Sequence, residues 1–269
     1  MRYYKYYNLK NSFNLSCIVN EIYFPEDCMD LSYLIRKFPN TSIIADGTNI
    51  IFQPNIDKLI CLRNMPNDIN YYNQKNNKVY MKIDSNYKMY DFVQSSIDNN
   101  FTGVEGLCGI PGTIGGAIYG NSGSGDCTIS DYLLDVAVMN EMGDLEILTK
   151  DELNFKRRYS ILKDNKFIIT NARFIFPNKP FDLEKLNKAK QHRLSLPKYP
   201  SVGGIFSNWH ELKAYKKKLI GLKVGDAEVS EQINIIVNKE NATYQDIITL
   251  IDKIKHIVKT SLILEAQII

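Results

Sequence analysis

The chain is poor in the residues that build disulfide frameworks and metal sites. Its five cysteines, Cys17, Cys28, Cys61, Cys108 and Cys127, are scattered, odd in number and without a Cys-x-x-Cys pair. That pattern argues against a disulfide framework and against a cysteine zinc site. The three histidines, His192, His210 and His256, lie apart with no metal-ligand spacing, so no metal is expected. No apolar run approaches the roughly 18 residues of a membrane span, which excludes a helical membrane insertion. The opening stretch MRYYKYYNLKNSFN is too polar and aromatic for a secretory signal. Together these absences lead to the expectation of a reducing, cytoplasmic setting. Charge excess is also missing: 33 Lys and Arg against 30 Asp and Glu leave +3. This is too little to point to nucleic acid or a membrane surface, although it would not repel a small anion. Internal repeats and low-complexity blocks are absent as well.

What is present reads as an α+β chain, and 269 residues suffice to bury a substantial core. CMDLSYLIRKF has helical character. TSIIADGTNIIF reads as strand, tight Asp-Gly turn, strand. KVYMKIDSN alternates in part as a strand should, and Met89, Phe92, Val93 and Ile97 have helical spacing. LLDVAVMN, a turn at EMGD, LEILTKDEL and KFIITNARFIF continue as strands up to Pro177. A polar amphipathic helix over 181–194 reads as a linker between two bodies. It is followed by a Lys-rich helix at 211–220, the strand INIIVN, a long helix from Tyr244 to about Lys259 and the strand SLILEAQII. The expected organisation is a sheet-rich region over 1–178 and a smaller domain over 179–269, whose closing strand is free to return to the first region.

Glycine is concentrated in one place. GIPGTIGGAIYGNSGSG, residues 109 to 125, holds seven of the fifteen glycines. Glycine permits positive φ and close approach of a ligand to the backbone. Successive peptide N–H groups in such a loop favour an anion such as a pyrophosphate, and Thr113, Asn121 and Ser122 would add neutral donors. The segment contains no GxxxxGK[ST] and no GxGxxG opening a helix after a strand, so a P-loop and a Rossmann site are both set aside. Tight turns and close packing are the competing explanation.

The stretch GVEGLCGIPGTIGGAIYGNSGSG resembles the flavin-pyrophosphate segment of the UDP-N-acetylenolpyruvoylglucosamine reductase family. ADGTNIIF is similar to an earlier turn of that family. DELNFKRRYSIL, PSVGGIFSNW and GDAEVSEQINIIVNKENATYQDIITLI are similar to three later motifs, all in the same order from about residue 40 onward. The resemblance implies an FAD-binding domain of the vanillyl-alcohol-oxidase type and a smaller domain closing over a UDP-amino sugar. It assigns FAD contacts to Gly47, Thr48, Asn49 and Ile50. Further FAD contacts fall on Gly109, Pro111, Gly112, Thr113, Gly115, Gly116, Asn121 and Gly123. The implied reaction reduces an enolpyruvyl ether to the lactyl ether of UDP-N-acetylmuramate for peptidoglycan synthesis, with NADPH as donor.

That chemistry calls for a cation or neutral donor on a developing enolate and for a positioned acid. By register, Arg158 takes the enolate-stabilising position and Ser160 is retained, while Arg157 replaces a tyrosine. The two acid/base positions are lost. Gly204 stands where the family has a serine proton donor, and Gln267 stands at the catalytic glutamate, with Glu265 matching a second acidic position. Ser16 and Cys17 likewise replace usual glycines. Ser207 is expected to face away from position 204 because side chains alternate along an extended segment. Asn208 is expected to help hold the nucleotide diphosphate, and Lys198 is placed for a nucleotide contact. Losing a general acid typically costs about 10²–10⁴ in rate. Three outcomes therefore stay open: the family reaction by a changed proton path, a flavoprotein with another substrate, or a non-catalytic relative.

Overall fold

The computed structural model describes residues 1–99, 101–125 and 127–269. The chain opens with strands β1 (Arg2–Lys10) and β2 (Ser16–Phe24) and helix α1 (Cys28–Lys37). Strands β3 (Ser42–Ile44), β4 (Ile50–Ile51), β5 (Asn55–Cys61), β6 (Ile69–Lys75) and β7 (Lys78–Asp84) follow. Helices α2 (Met89–Asp98) and α3 (Ile114–Tyr119) precede the small ribbon β8 (Gly123–Ser124) and β9 (Cys127–Thr128). Next come β10 (Leu133–Met139), β11 (Leu145–Thr149), β12 (Ile168–Pro177), helix α4 (Leu183–Leu194) and the single turn α5 (Lys216–Leu219). Strands β13 (Lys223–Val224), β14 (Ala227–Val229) and β15 (Ile236–Asn238) lead to helix α6 (Tyr244–Ile257) and strand β16 (Gln267–Ile268).

These elements form two compact units, one of residues 1–3, 23–46 and 60–195 and one of residues 4–22, 47–59 and 196–269. This division departs from the boundary expected at 178/179, for two physical reasons. Helix α4, read as a linker, buries Leu186 and Ala189 and belongs to the first unit. Two early segments join the second unit because Phe13, Leu15 and Ile51 lie in one core with Val202, Ile205 and Phe206.

The first unit is built on an antiparallel sheet in the order β11-β10-β12-β7-β6. On β7 the alternation seen in the sequence is real: Val79, Met81 and Ile83 are buried between more exposed neighbours. Helix α2 presents Met89, Phe92 and Val93, spaced to share one face, to the same core. There the rings of Phe92, Phe101, Phe174 and Phe176 lie 5.0–6.3 Å apart between centroids. Each such fully buried side chain contributes about 1.5–3 kcal/mol relative to exposure.

In the second unit, β13, β14 and β15 form a small antiparallel sheet. Helix α6 packs Ile247, Leu250, Ile251 and Ile254 into the core. Its start is fixed by a capping box: the Asp246 N–H donates to Thr243 Oγ1 at 3.2 Å and the Thr243 N–H donates to Asp246 Oδ2 at 2.8 Å. The closing strand is shorter than expected, only Gln267–Ile268, and it pairs in parallel with Ile50–Ile51. The Asp46-Gly47 turn therefore does not close a hairpin, because β3 and β4 belong to different sheets. No helix among the described residues is long and apolar enough to cross a membrane.

Candidate functional site

In the first unit the glycine segment is anchored by its own backbone. The N–H groups of Ile114 and Gly115 donate to Tyr87 O and Ser85 O at 2.9 and 2.8 Å. Thr113 caps α3 by accepting the Gly116 N–H at 3.3 Å. Gly115 is thus a packing glycine, since a Cβ there would lie 2.8 Å from Ser85 Cβ. Gly123 is another: a Cβ would meet Cys127 O and come within 2.9 Å of Thr128 Cα. Gly109 and Gly112 have φ of +74° and +99°, in the region that favours glycine. Pro111 beside them is exposed. Among the described residues, the N–H groups of Gly109, Gly112 and Thr113 find no acceptor.

Arg158 meets this segment. Its Nη2 donates to Gly123 O at 2.7 Å, and its Nη1 lies 3.5 Å from Asn121 O. Lys156 and Tyr159 close a tight turn by exchanging two backbone hydrogen bonds of 3.1 Å, which puts Arg158 at its third position with φ +56°. Glycine or asparagine is usual at such a position. A non-glycine residue held there costs on the order of 1–3 kcal/mol and persists only where its surroundings fix it. Lys163 Nζ donates to Arg158 O at 2.8 Å, and buried Ser160 donates to Tyr119 O at 2.8 Å. Asn121 shares the unusual conformation, with φ +43°.

Two further side chains escaped sequence reasoning. Arg193 of α4 lays its stem over Gly109, where a Cβ would lie 2.8 Å from Arg193 Cγ, and its Nε donates to Cys108 O at 3.1 Å. Burial, and secondly the charge of Arg158, hold its guanidinium below the usual range. Arg193 has no ion-pair partner among the described residues, as its place on a polar helix gave no reason to suspect. The second is Asn86. Its Nδ2 donates to Arg63 O and Met65 O at 3.0 Å, which fixes the amide orientation and leaves buried Oδ1 without a partner among the described residues. Asn121 is in the same state: Nδ2 donates to Lys156 O at 2.9 Å and buried Oδ1 has no partner among the described residues. Nearby, Lys88 Nζ grips both oxygens of Asp46 at 2.7 and 2.8 Å. Unsatisfied N–H groups, two arginines and two buried amide oxygens fit a ligand that joins phosphates to hydroxyl and N–H donors.

The second unit collects the remaining expected residues. Gly47 has φ +71°, Thr48 is half-buried, and Ile50 O accepts from Asn11 Nδ2 at 2.6 Å. Asn49 is tied to the closing strand: its O accepts the Gln267 N–H at 3.0 Å and its Nδ2 donates to Glu265 O at 3.2 Å. The 204–207 segment lies between two others. Ile205 N donates to Asn234 O at 2.8 Å on one side, and Glu265 N donates to Ile205 O at 2.8 Å on the other. Ser207 points its hydroxyl at Ile263 O, 3.4 Å away. Asn208 uses both ends of its amide on the neighbouring segment, donating to Ser261 O at 2.8 Å and accepting the Ile263 N–H at 2.9 Å. Gln267 and Lys198 are exposed.

Comparison with known proteins gives a consistent result. Residues 196–267 match the family model described as UDP-N-acetylenolpyruvoylglucosamine reductase, C-terminal domain. The UDP-N-acetylenolpyruvoylglucosamine reductase of Fusobacterium nucleatum subsp. nucleatum is 32% identical over 255 residues, covering 91% of this chain and 88% of the relative. That of Petrotoga mobilis is 29% identical over 283 residues, with coverage of 98% and 90%. The crystal structure of the enzyme from Thermus caldophilus superposes with a TM-score of 0.79 at 23% identity, over 97% of this chain and 98% of that one.

Proposed function

Since the chain belongs to the UDP-N-acetylenolpyruvoylglucosamine reductase family, whose members are FAD-dependent oxidoreductases, we propose that it reduces the enolpyruvyl ether of a UDP-amino sugar with NADPH as electron donor. The product would be the lactyl ether of UDP-N-acetylmuramate. The observation that carries this reading is the 2.7 Å bond from Arg158 to Gly123 O, which joins the arginine, at φ +56°, to the glycine segment.

Bound FAD supplies hydride transfer. The N–H groups of Gly109, Gly112 and Thr113 would hold its pyrophosphate. The buried oxygens of Asn86 and Asn121, which find no donor among the described residues, would accept from donor groups of the bound cofactor. The family resemblance assigns further backbone contacts to Gly47, Thr48, Asn49 and Ile50. Arg158 stabilises negative charge as the substrate carboxylate takes on enolate character, a contribution worth about 3–4 kcal/mol where a single such donor has been removed. Exposed Lys198 meets the nucleotide phosphates, and Ser207 and Asn208 shape the substrate-side segment.

The test is spectroscopic. The purified protein should be yellow and bleach on anaerobic addition of NADPH. Its colour should then return on addition of UDP-N-acetylglucosamine enolpyruvate. A flavin that bleaches but ignores this substrate would assign the chain to a different one, a reading that the exchange of both family acids for Gly204 and Gln267 favours. A colourless protein that takes up no FAD would overturn the proposal.

A further inference from the structure

The family reaction needs a proton at the carbon next to the one that receives hydride, and neither Gly204 nor Gln267 can give one. The structure shows why a serine is not simply missing. A Cβ at position 204 would lie 2.8 Å from Asn234 Nδ2, and the next neighbour is Glu265 Oε2 at 3.5 Å. The Asn234 amide cannot swing aside cheaply. Its Nδ2 donates to Phe206 O and its Oδ1 accepts the Phe206 N–H, both at 2.9 Å, so moving it strands two backbone groups. Position 204 is therefore committed to glycine, and the space a serine would face holds a carboxylate oxygen.

We propose that Glu265 is the proton donor of this chain, its carboxyl group replacing the side chain that residue 204 lacks. The proposal rests on the reductase reading above. Glu265 is positioned on both sides of its own peptide: its N–H donates to Ile205 O at 2.8 Å and its O accepts from Asn49 Nδ2 at 3.2 Å. It is half-buried, so solvent can restore its proton. The other groups at hand do not serve. Asn234 and Gln267 are amides, and the Ser207 hydroxyl is turned to Ile263 O. The step balances. Hydride delivery to one carbon of the enolpyruvyl double bond, which the reductase reading assigns to the cofactor, would leave the π pair on the adjacent carbon as an enolate. The O–H bond of Glu265 breaks and its proton forms the new C–H bond. The carboxylate that remains is reprotonated from water.

Glu265→Gln keeps the shape and removes the proton. In the FAD-loaded full chain, bleaching by NADPH should stay within about twofold of wild type. Substrate-driven reoxidation should slow by about 10²-fold or more. The product formed in deuterium oxide should lose its single configuration at the protonated carbon, since water then delivers the proton from either side. Formate should partly restore Glu265→Ala. Reoxidation of Glu265→Gln at the wild-type rate and with one configuration overturns the inference alone. Failure of the wild type to be reoxidised by the substrate overturns the reductase reading with it. The packing premise is read separately in apoprotein: Gly204→Ser should lower Tm by about 2–4 °C or more, and an unchanged Tm would remove it.

Discussion

Replacing Gly116 by alanine adds one methyl to the exposed side of α3. The backbone there is helical, the N–H is already accepted by Thr113 Oγ1, and a Cβ would meet nothing nearer than that oxygen at 3.5 Å, an ordinary contact. The fold thus has no need of glycine at 116, and the better helix propensity of alanine stabilises α3 by up to about 1 kcal/mol. If the segment binds a pyrophosphate against its backbone, the same methyl obstructs it. The expected outcome is an apoprotein Tm unchanged or raised by about 2–4 °C, with an FAD dissociation constant at least ~10-fold weaker by fluorescence titration, about 1.4 kcal/mol. Gly115→Ala is the counterpart. Its Cβ would lie 2.8 Å from Ser85 Cβ and 3.2 Å from Ser85 O, so overpacking of about 1–3 kcal/mol outweighs the propensity gain and the apoprotein Tm falls. A Gly116→Ala protein that is less stable yet binds FAD as tightly as wild type would refute the reasoning, because packing would then account for both glycines.

Arg193→Met keeps the stem over Gly109 and removes the charge. Apoprotein stability should change by less than about 1 kcal/mol, since the lost bond to Cys108 O is offset by relief of burial and of repulsion from Arg158. FAD binding should weaken and become less salt-dependent, and equal salt dependence in both proteins would count against an anion at this place. Cys17 is buried, and burial pushes its thiol from 9.0 up to about 11. The folded chain keeps that proton between these values while the unfolded chain loses it. Stability should therefore fall as pH rises from about 9 to 11, by up to roughly 2–3 kcal/mol, and Cys17→Ala should flatten the slope in urea unfolding across that range. Asp135→Ala removes the carboxylate that buried packing holds against Arg173, with bonds of 2.7 and 2.5 Å. The expected loss is about 1.5–3 kcal/mol in denaturant midpoint analysis; a loss below 0.5 would show the pair to be surface-like.

Where apolar spacing was regular, structure could be read from sequence: α1, α2, α6, β7 and the β10–β11 hairpin all carry their pattern openly. Strand β1 did not, because RYYKYYNLK is exposed along most of its length and only Leu9 near its end is buried. In β2 the exposed Ile18 between buried Cys17 and Val19 blurs the period. Within the site, glycine density announced the 109–125 segment, and register picked out Arg158. Arg193 and Asn86 gave no such signal. One sits on a helix with a sparse apolar stripe, and the other is a lone asparagine whose meaning lies in carbonyls more than twenty positions away. The contest between Asn234 and a side chain at 204 is equally invisible until two distant segments are laid side by side.

The second unit draws Phe13, Leu15 and Ile51 into a core completed by residues from Val202 to Ala266. During synthesis, those early apolar residues must therefore wait for a stretch of chain that first builds the other unit. Closing so long a loop is tolerable in free energy but slow in time. In the interval Phe13 and Leu15 are open to wrong partners, which makes this unit, rather than the glycine-bearing one, the place where nascent chains would engage chaperones. Substitutions in α6 or β15 should accordingly lower the yield of folded protein before they alter the behaviour of what does fold.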